Sequence, residues 1–253
     1  MNLVLVEVVK NINIVAKNNK GLRGVGVDMS NTNGNCYVCG QAFSKASMRT
    51  YIMKKHAENG GGQCFLVKVE SFYDKDYWLM FVIPQEAEFS QLDHFLRDIW
   101  MECCNHMSIF YTKPFAEIET YQKLNEFLPT ARKPIIYDYD MGSTTRCIVT
   151  YVGETLRSQQ EDVVRVLVRN EPYRHKCDSC DKAATLTCQS CMYDRGDSAF
   201  CKARGKDHEH NDILLPITNS PRNGVCGYDG LHDVIHLTQI AMAIKKVAML
   251  TEG

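Results

Sequence analysis

The sequence predicts an α+β fold: a small central sheet with a packed helix, flanked by two small zinc-binding modules. Three observations carry this. Residues 64–84 hold two runs of strand character, CFLVKVE and YWLMFVI, joined by FYDKD. Just beyond them Leu92, Phe95, Leu96, Ile99, Trp100 and Cys103 recur at i, i+3, i+4, i+7, i+8 and i+11, the apolar stripe of a helix laid on a core. Cysteine-rich stretches bracket this segment on both sides. The expected divisions are N-terminal strands over 1–35, a finger-like module over 36–64 and an α+β domain over 65–170. A cross-brace or ribbon zinc module over 171–212 and a loop with a C-terminal helix over 213–253 complete the chain.

Composition narrows the function classes. With 253 residues, 45% hydrophobic and 23% charged, the chain has the make-up of an ordinary globular protein. A net charge of −1 makes no general nucleic-acid magnet, so contact with phosphates would need a local basic patch. MNLVLVEVVK has a short apolar run broken by Glu7 and no basic leader, which argues against a signal peptide. No window approaches the ~18 apolar residues of a membrane span. Twelve cysteines without a leader, several in C-x2-C pairs, point to thiolates on metal in a reducing cytoplasm rather than to disulfides.

In chain order, residues 3–9 and 12–16 are β-branched and apolar and read as strands; GLRGVG at 21–26 is a structural turn, and NTNGN at 31–35 a loop. Cys36-x2-Cys39 is followed by Phe43, Met48 and a polar helical stretch ending near His56. The order of knuckle, aromatic, aliphatic and ligand helix is similar to a two-cysteine two-histidine zinc finger. The first histidine of that pattern would fall at Tyr51 or Ile52, and neither residue is one. Cys64, past a GGG turn, is the expected replacement, giving Cys36, Cys39, His56 and Cys64 as a zinc site. Lys45, Arg49, Lys54 and Lys55 on the helix would either meet phosphates or form a solvated face.

CFLVKVE alternates, whereas YWLMFVI is continuously apolar, as a strand buried on both faces should be. Ser90 with Asp93 three residues on suggests a helix cap. Cys103, Cys104 and His106 invite a Cys–His catalytic reading. Neighbouring helical positions diverge by about 100°, so core cysteines are the expectation. Residues 65–130 hold 11 acidic and 5 basic side chains, a poor nucleic-acid surface. IIYDYDMGSTTRCIVTYVG reads as strand, turn, strand, with Asp138 and Asp140 on one strand face by their period of two. VVRVLV at 163–168 is a further strand.

The densest chemistry lies between 173 and 210. Cys177-x2-Cys180 and Cys188-x2-Cys191 each place two thiolates on one knuckle, and Cys201, His208 and His210 follow. The spacing resembles cross-brace zinc modules of the B-box kind. That resemblance implies that Cys188, Cys191, His208 and His210 share one ion, while Cys177, Cys180 and Cys201 share another whose fourth ligand falls on Arg204. A guanidinium has no lone pair to offer. Water, His175, Asp207 or nothing would therefore fill that position. A single-zinc ribbon of Cys177, Cys180, Cys188 and Cys191 is the simpler alternative. Cys226, between glycines, is a spare candidate ligand, and 231–250 has helical spacing.

YWLMFVIP, LDHFLRDIWMECCNHMS and YDYDMGSTT together resemble the plasmid ORF-3-like family, related to passenger proteins of insertion elements; the likeness spans roughly residues 64–155. It implies a helix on a sheet and a link to mobile elements, without implying an activity. The combined expectation is a cytoplasmic zinc-binding protein whose modules present a surface to a protein or nucleic-acid partner, with no membrane. The rival is a zinc-dependent enzyme using an open metal position near Arg204, against which stands the lack of a recognisable general base.

Overall fold

The computed structural model describes residues 33–56, 61–114, 116–131, 133–157, 163–194, 196 and 198–231. The strands expected at 3–9 and 12–16, the turn at 21–26 and the helix expected beyond 231 lie outside them. Two compact units result, one from residues 174–218 and 222–229, the other from 31–173 with 219–221.

The larger unit is organised by β4 (Trp78–Pro84), apolar at nearly every position because both its faces are covered. Trp78, Met80 and Val82 belong to one core; Leu79, Phe81 and Ile83 belong to another on the opposite face. The alternation follows from the period of two in a strand. Its neighbours are β3 (Gly62–Ser71) and β9 (Arg165–Asn170). With β1 (Asn33–Cys36), β2 (Ala42–Ser44), β5 (Ser108–Tyr111), β6 (Glu117–Ile118), β7 (Ile135–Tyr139) and β8 (Thr145–Arg157), they form nine strands in the order β2-β1-β9-β4-β3-β8-β7-β5-β6. Every pairing is antiparallel.

The fold class is α+β, as expected, but the sheet is larger than the small one anticipated. The difference begins at NTNGN. Asn33 to Cys36 are a strand rather than a loop, and β1 pairs with β9 through Cys36 opposite Val168. Gly34 suits this position, since a Cβ there would run into the Trp78 ring.

One helix covers each face. α1 (Lys45–Lys55) is capped by the Ser44 hydroxyl, which accepts from the Ser47 amide, and inserts Met48 and Ile52 among Cys36, Leu66 and Val168. α2 (Phe89–Leu96) lays Phe89, Leu92, Phe95 and Leu96 on the opposite core, and a π-helical turn over Arg97–Met101 adds Ile99, Trp100 and Met101.

The cap of α2 is not Ser90 with Asp93. Glu88 is the N-cap and closes a reciprocal box with Gln91. Asp93 is buried instead, where it accepts from Tyr137 (2.7 Å), Ser108 (2.6 Å) and Arg97 (2.7 Å). A carboxylate with three donors is worth more there than at a solvated cap. The stripe also stops earlier than its spacing suggested. Helical geometry ends at Met101, Glu102 turns extended, and Cys103 is half-buried with Cys104 exposed, so the second of these is no core cysteine. A short α3 (Leu124–Phe127) closes this side.

Asp138 and Asp140, placed together by the strand period, have separate partners. Both are buried, and Asp138 is clamped by Arg146 through two hydrogen bonds of 2.6 and 2.7 Å. Asp140, at φ 66°, accepts from the Gly142 amide.

The smaller unit is a three-stranded antiparallel sheet, β11 (Ala199–Phe200), β10 (Leu186–Cys188) and β12 (Leu214–Pro216), with short helices α4 (Gln189–Asp194) and α5 (Lys202–Lys206). Its buried core is Cys188, Cys191 and Phe200, with Leu186 and Leu214 against it. Gly205 allows α5 this close; a Cβ there would meet the Leu186 and Leu214 methyls. Among the described residues, no helix is long and apolar enough to cross a membrane.

Candidate metal centres

Cys188 ends β10, and α4 begins at the next residue, so Cys191 comes round onto the same side as Cys188. α5 and the turn after it deliver His208 and His210 from the other end of the unit. The four ligand atoms lie within 4.8 Å of one another. Cys191 Sγ is 3.4 Å from His208 Nε2, and His210 Nδ1 is 3.6 and 3.7 Å from Cys188 Sγ and Cys191 Sγ. A tetrahedral ion with Zn–S of ~2.3 Å and Zn–N of ~2.05 Å separates sulfur from nitrogen by about 3.6 Å. The donor set and its spacing therefore fit that metal. The His208 ring stacks on Phe200 at 4.3 Å, which fixes its plane.

Cys177, Cys180 and Cys201 form a second group. The knuckle is closed by the Cys177 amide on Lys182 O and the Cys180 amide on Cys177 O. Cys180 and Cys201 Sγ stand 3.7 Å apart, close to the ~3.8 Å sulfur–sulfur edge of a zinc tetrahedron and far too long for a disulfide. Among the described residues no fourth Cys, His or carboxylate joins them within 4.8 Å. Arg204 acts through its backbone: its N–H, with that of Ala203, points at Cys201 from the start of α5 and brings that thiol down to about 7. Beside the sulfurs is an open cleft of about 270 Å³ lined by Lys182, Ala203, Arg204 and Asp207. His175 is not among its lining residues.

The third group, Cys36, Cys39 and His56, is in the larger unit. The β1–β2 turn carries both cysteines, with the Gly40 amide on Cys36 O, and His56 caps the end of α1. Burial pushes the Cys36 thiol up to about 11, and burial followed by the charge of Arg165 lowers His56. His56 Nε2 is buried and, among the described residues, has no hydrogen-bond partner, as suits a nitrogen held for a metal.

Cys64 is not with them. It is buried on the same face but sits on β3, separated from β1 by β9 and β4, about 14 Å at the usual strand spacing. The side chain that does reach the knuckle is Tyr51, whose hydroxyl is 3.0 Å from Cys39 Sγ and donates to Gln41 at 3.1 Å. That position is where the finger pattern wants its first histidine, and the pattern itself was the signal that could have found it.

Of the basic residues on α1, Lys45 pairs with Glu70 at 2.5 Å and donates to Lys75 O, and Arg49 donates to Val152 O. Lys54 and Lys55 remain exposed. None of the twelve cysteines is in a disulfide.

Fold and sites together describe an α+β protein with several Cys/His groups that can hold a metal ion. No family model and no curated protein matches the chain. Among solved structures it is similar to a protein of unknown function, MM3350 from Methanosarcina mazei Go1. That likeness has a TM-score of 0.38 and 14% identity, over 44% of this chain and 72% of that one.

Proposed function

We propose that the protein is a zinc-binding interaction module of the cytoplasm, with structural zinc at Cys188, Cys191, His208 and His210, at Cys177, Cys180 and Cys201, and at Cys36, Cys39 and His56. The observation that carries this is the convergence of the first four side chains at tetrahedral spacing, in a unit whose buried apolar cluster is three residues, two of them among those four. Metal binding and folding are coupled in units of this size. A protein partner is favoured over nucleic acid, because Lys45 and Arg49 are engaged within the chain. The resemblance to plasmid ORF-3-like proteins would place it among mobile-element functions.

Native mass spectrometry of the full chain under reducing conditions tests the zinc reading. Cys188→Ser and His208→Ala should each lose one ion per chain. An unchanged count in both would remove these residues from any site.

The second reading, a zinc-dependent enzyme, is favoured by the missing fourth donor beside Cys177, Cys180 and Cys201 and by the cleft at Arg204 and Asp207. A catalytic zinc keeps such a position for water or substrate. In the cobalt-loaded protein, added imidazole should then shift the visible spectrum, and Cys201→Ser should abolish the shift. A spectrum indifferent to imidazole would close the position and this reading with it.

A further inference from the structure

We propose that Cys103, Cys104 and His106 form a further metal site, in the larger unit at the end of α2, for a borderline-soft divalent cation such as Zn²⁺. The site shares no ligand with the three groups above and goes beyond the function proposed from them.

The helical argument against these residues fails, because they are not on a helix. Past Met101 the chain turns extended at Glu102 (φ −65°, ψ 125°) and reverses at Asn105, which takes a left-handed φ of 57°. The reversal folds His106 back over the two cysteines. The three ligand atoms lie within 4.8 Å of one another. Cys103 and Cys104 Sγ are 3.7 Å apart, again the edge of a zinc tetrahedron and not a disulfide, while Cys104 Sγ and His106 Nε2 are hydrogen-bonded at 2.9 Å, a contact that opens to about 3.6 Å when both bind one zinc.

The loop is held in this shape from several sides. Arg97 donates to Glu102 at 3.2 Å and to His106 O at 2.7 Å; the Asn105 amide donates to Glu102, and the His106 amide to Tyr139 Oη at 3.2 Å. Hydrogen bonds of this kind orient a metal's ligands before the metal arrives. A carboxylate stands beside the imidazole: Asp140 Oδ2 is 3.6 Å from His106 Nε2. Two thiolates, an imidazole and a nearby carboxylate suit a divalent cation better than they suit a packed core, and Cys104 is exposed.

The test compares zinc counts of the full chain by native mass spectrometry for the wild type, Cys104→Ser, Cys188→Ser and the double variant. Cys104→Ser should lose one ion, Cys188→Ser a different one, and the double variant both. Loss in Cys188→Ser with none in Cys104→Ser overturns this site and leaves the function proposed above standing; the reverse does the opposite. A second measurement needs no variant. Under iodoacetamide, Cys103 and Cys104 of the zinc-loaded wild type should stay unmodified until a chelator is added. Equal labelling with and without chelator, or recovery of a Cys103–Cys104 disulfide from the freshly isolated protein, overturns the proposal.

Discussion

The two units hold themselves together by different physics. The larger buries two apolar layers against a nine-stranded sheet, with whole side chains such as Trp78, Phe81, Trp100 and Tyr137 out of water. At about 25 cal/mol per Å² of apolar surface, such layers are the dominant stabilising term of this unit. The smaller unit has Cys188, Cys191 and Phe200 at its centre, and two of those three are candidate ligands. A domain this small needs a staple, and the metal is the one its residues offer.

The largest expected effect breaks this contrast directly. Chelation should collapse residues 174–218 and leave the nine-stranded sheet folded. Hydrogen exchange followed by peptide mapping reads both at once. Protection of β10 and β12 should vanish while β3, β4 and β8 keep theirs. If the two units lose protection together, stability in the larger unit is also metal-borne and the contrast is wrong.

Next in size is Asp93→Ala. Tyr137, Ser108 and Arg97 all donate to this carboxylate, and the Tyr137 hydroxyl is buried, raised well above its ordinary pKa by burial and then by the Asp93 charge. Removing one partner of a buried ionic cluster costs about 3 kcal/mol. Urea unfolding of the chelated protein should show the loss, since metal plays no part in it. A change under about 0.5 kcal/mol would mean the cluster is incidental.

Glu70 offers a smaller effect with a pH signature. Burial alone would raise its carboxyl, but the hydrogen bond and charge of Lys45, with Lys68 beside it, outweigh that and leave it below its usual value. A depressed carboxyl stabilises the fold above its unfolded pKa, and the contribution fades as pH falls through the folded one. Glu70→Gln should therefore cost about 1 kcal/mol near neutrality and nothing once the pH has fallen below the depressed folded-state pKa. A cost that persists in acid would assign the effect to shape rather than charge.

How much of this could be read from the residues depends on whether the signal was local. YWLMFVI announced a strand covered on both faces, and the B-box resemblance implied the grouping of Cys188, Cys191, His208 and His210 that the structure brings together, because knuckles and turns are built from near neighbours. Strand order was not legible. Cys64 looked available to the Cys36 knuckle when counted along the chain, yet two strands stand between β1 and β3. Cys103 and Cys104 were judged as helical residues because the apolar spacing runs on past Met101, where the hydrogen-bonded helix has already stopped. Asp93 satisfied a capping pattern that Glu88 and Gln91 satisfy in fact, and only the partners supplied by β5 and β7 explain its burial.

The smallest effect on stability should carry the sharpest information about the finger-like site. Tyr51 occupies the corner where a fourth ligand belongs, its hydroxyl pushed up to about 12, first by the hydrogen bond with Cys39. A phenol oxygen is not among the usual zinc donors, which are thiolate, imidazole and carboxylate, so this site should hold metal more weakly than the Cys188 set. Tyr51→His supplies a neutral nitrogen in the same turn of α1. Competition with a chromophoric chelator should then show tighter zinc at this site by at least about tenfold, the scale on which even an outer partner of a metal ligand acts. The ring also packs on Phe43 at 4.1 Å and edge-on to His56, so histidine gives up some aromatic contact and the fold should change little. Equal affinity in wild type and variant would show that the corner is filled already. The difference between a finished site in the smaller unit and an unfinished one on the sheet would then disappear.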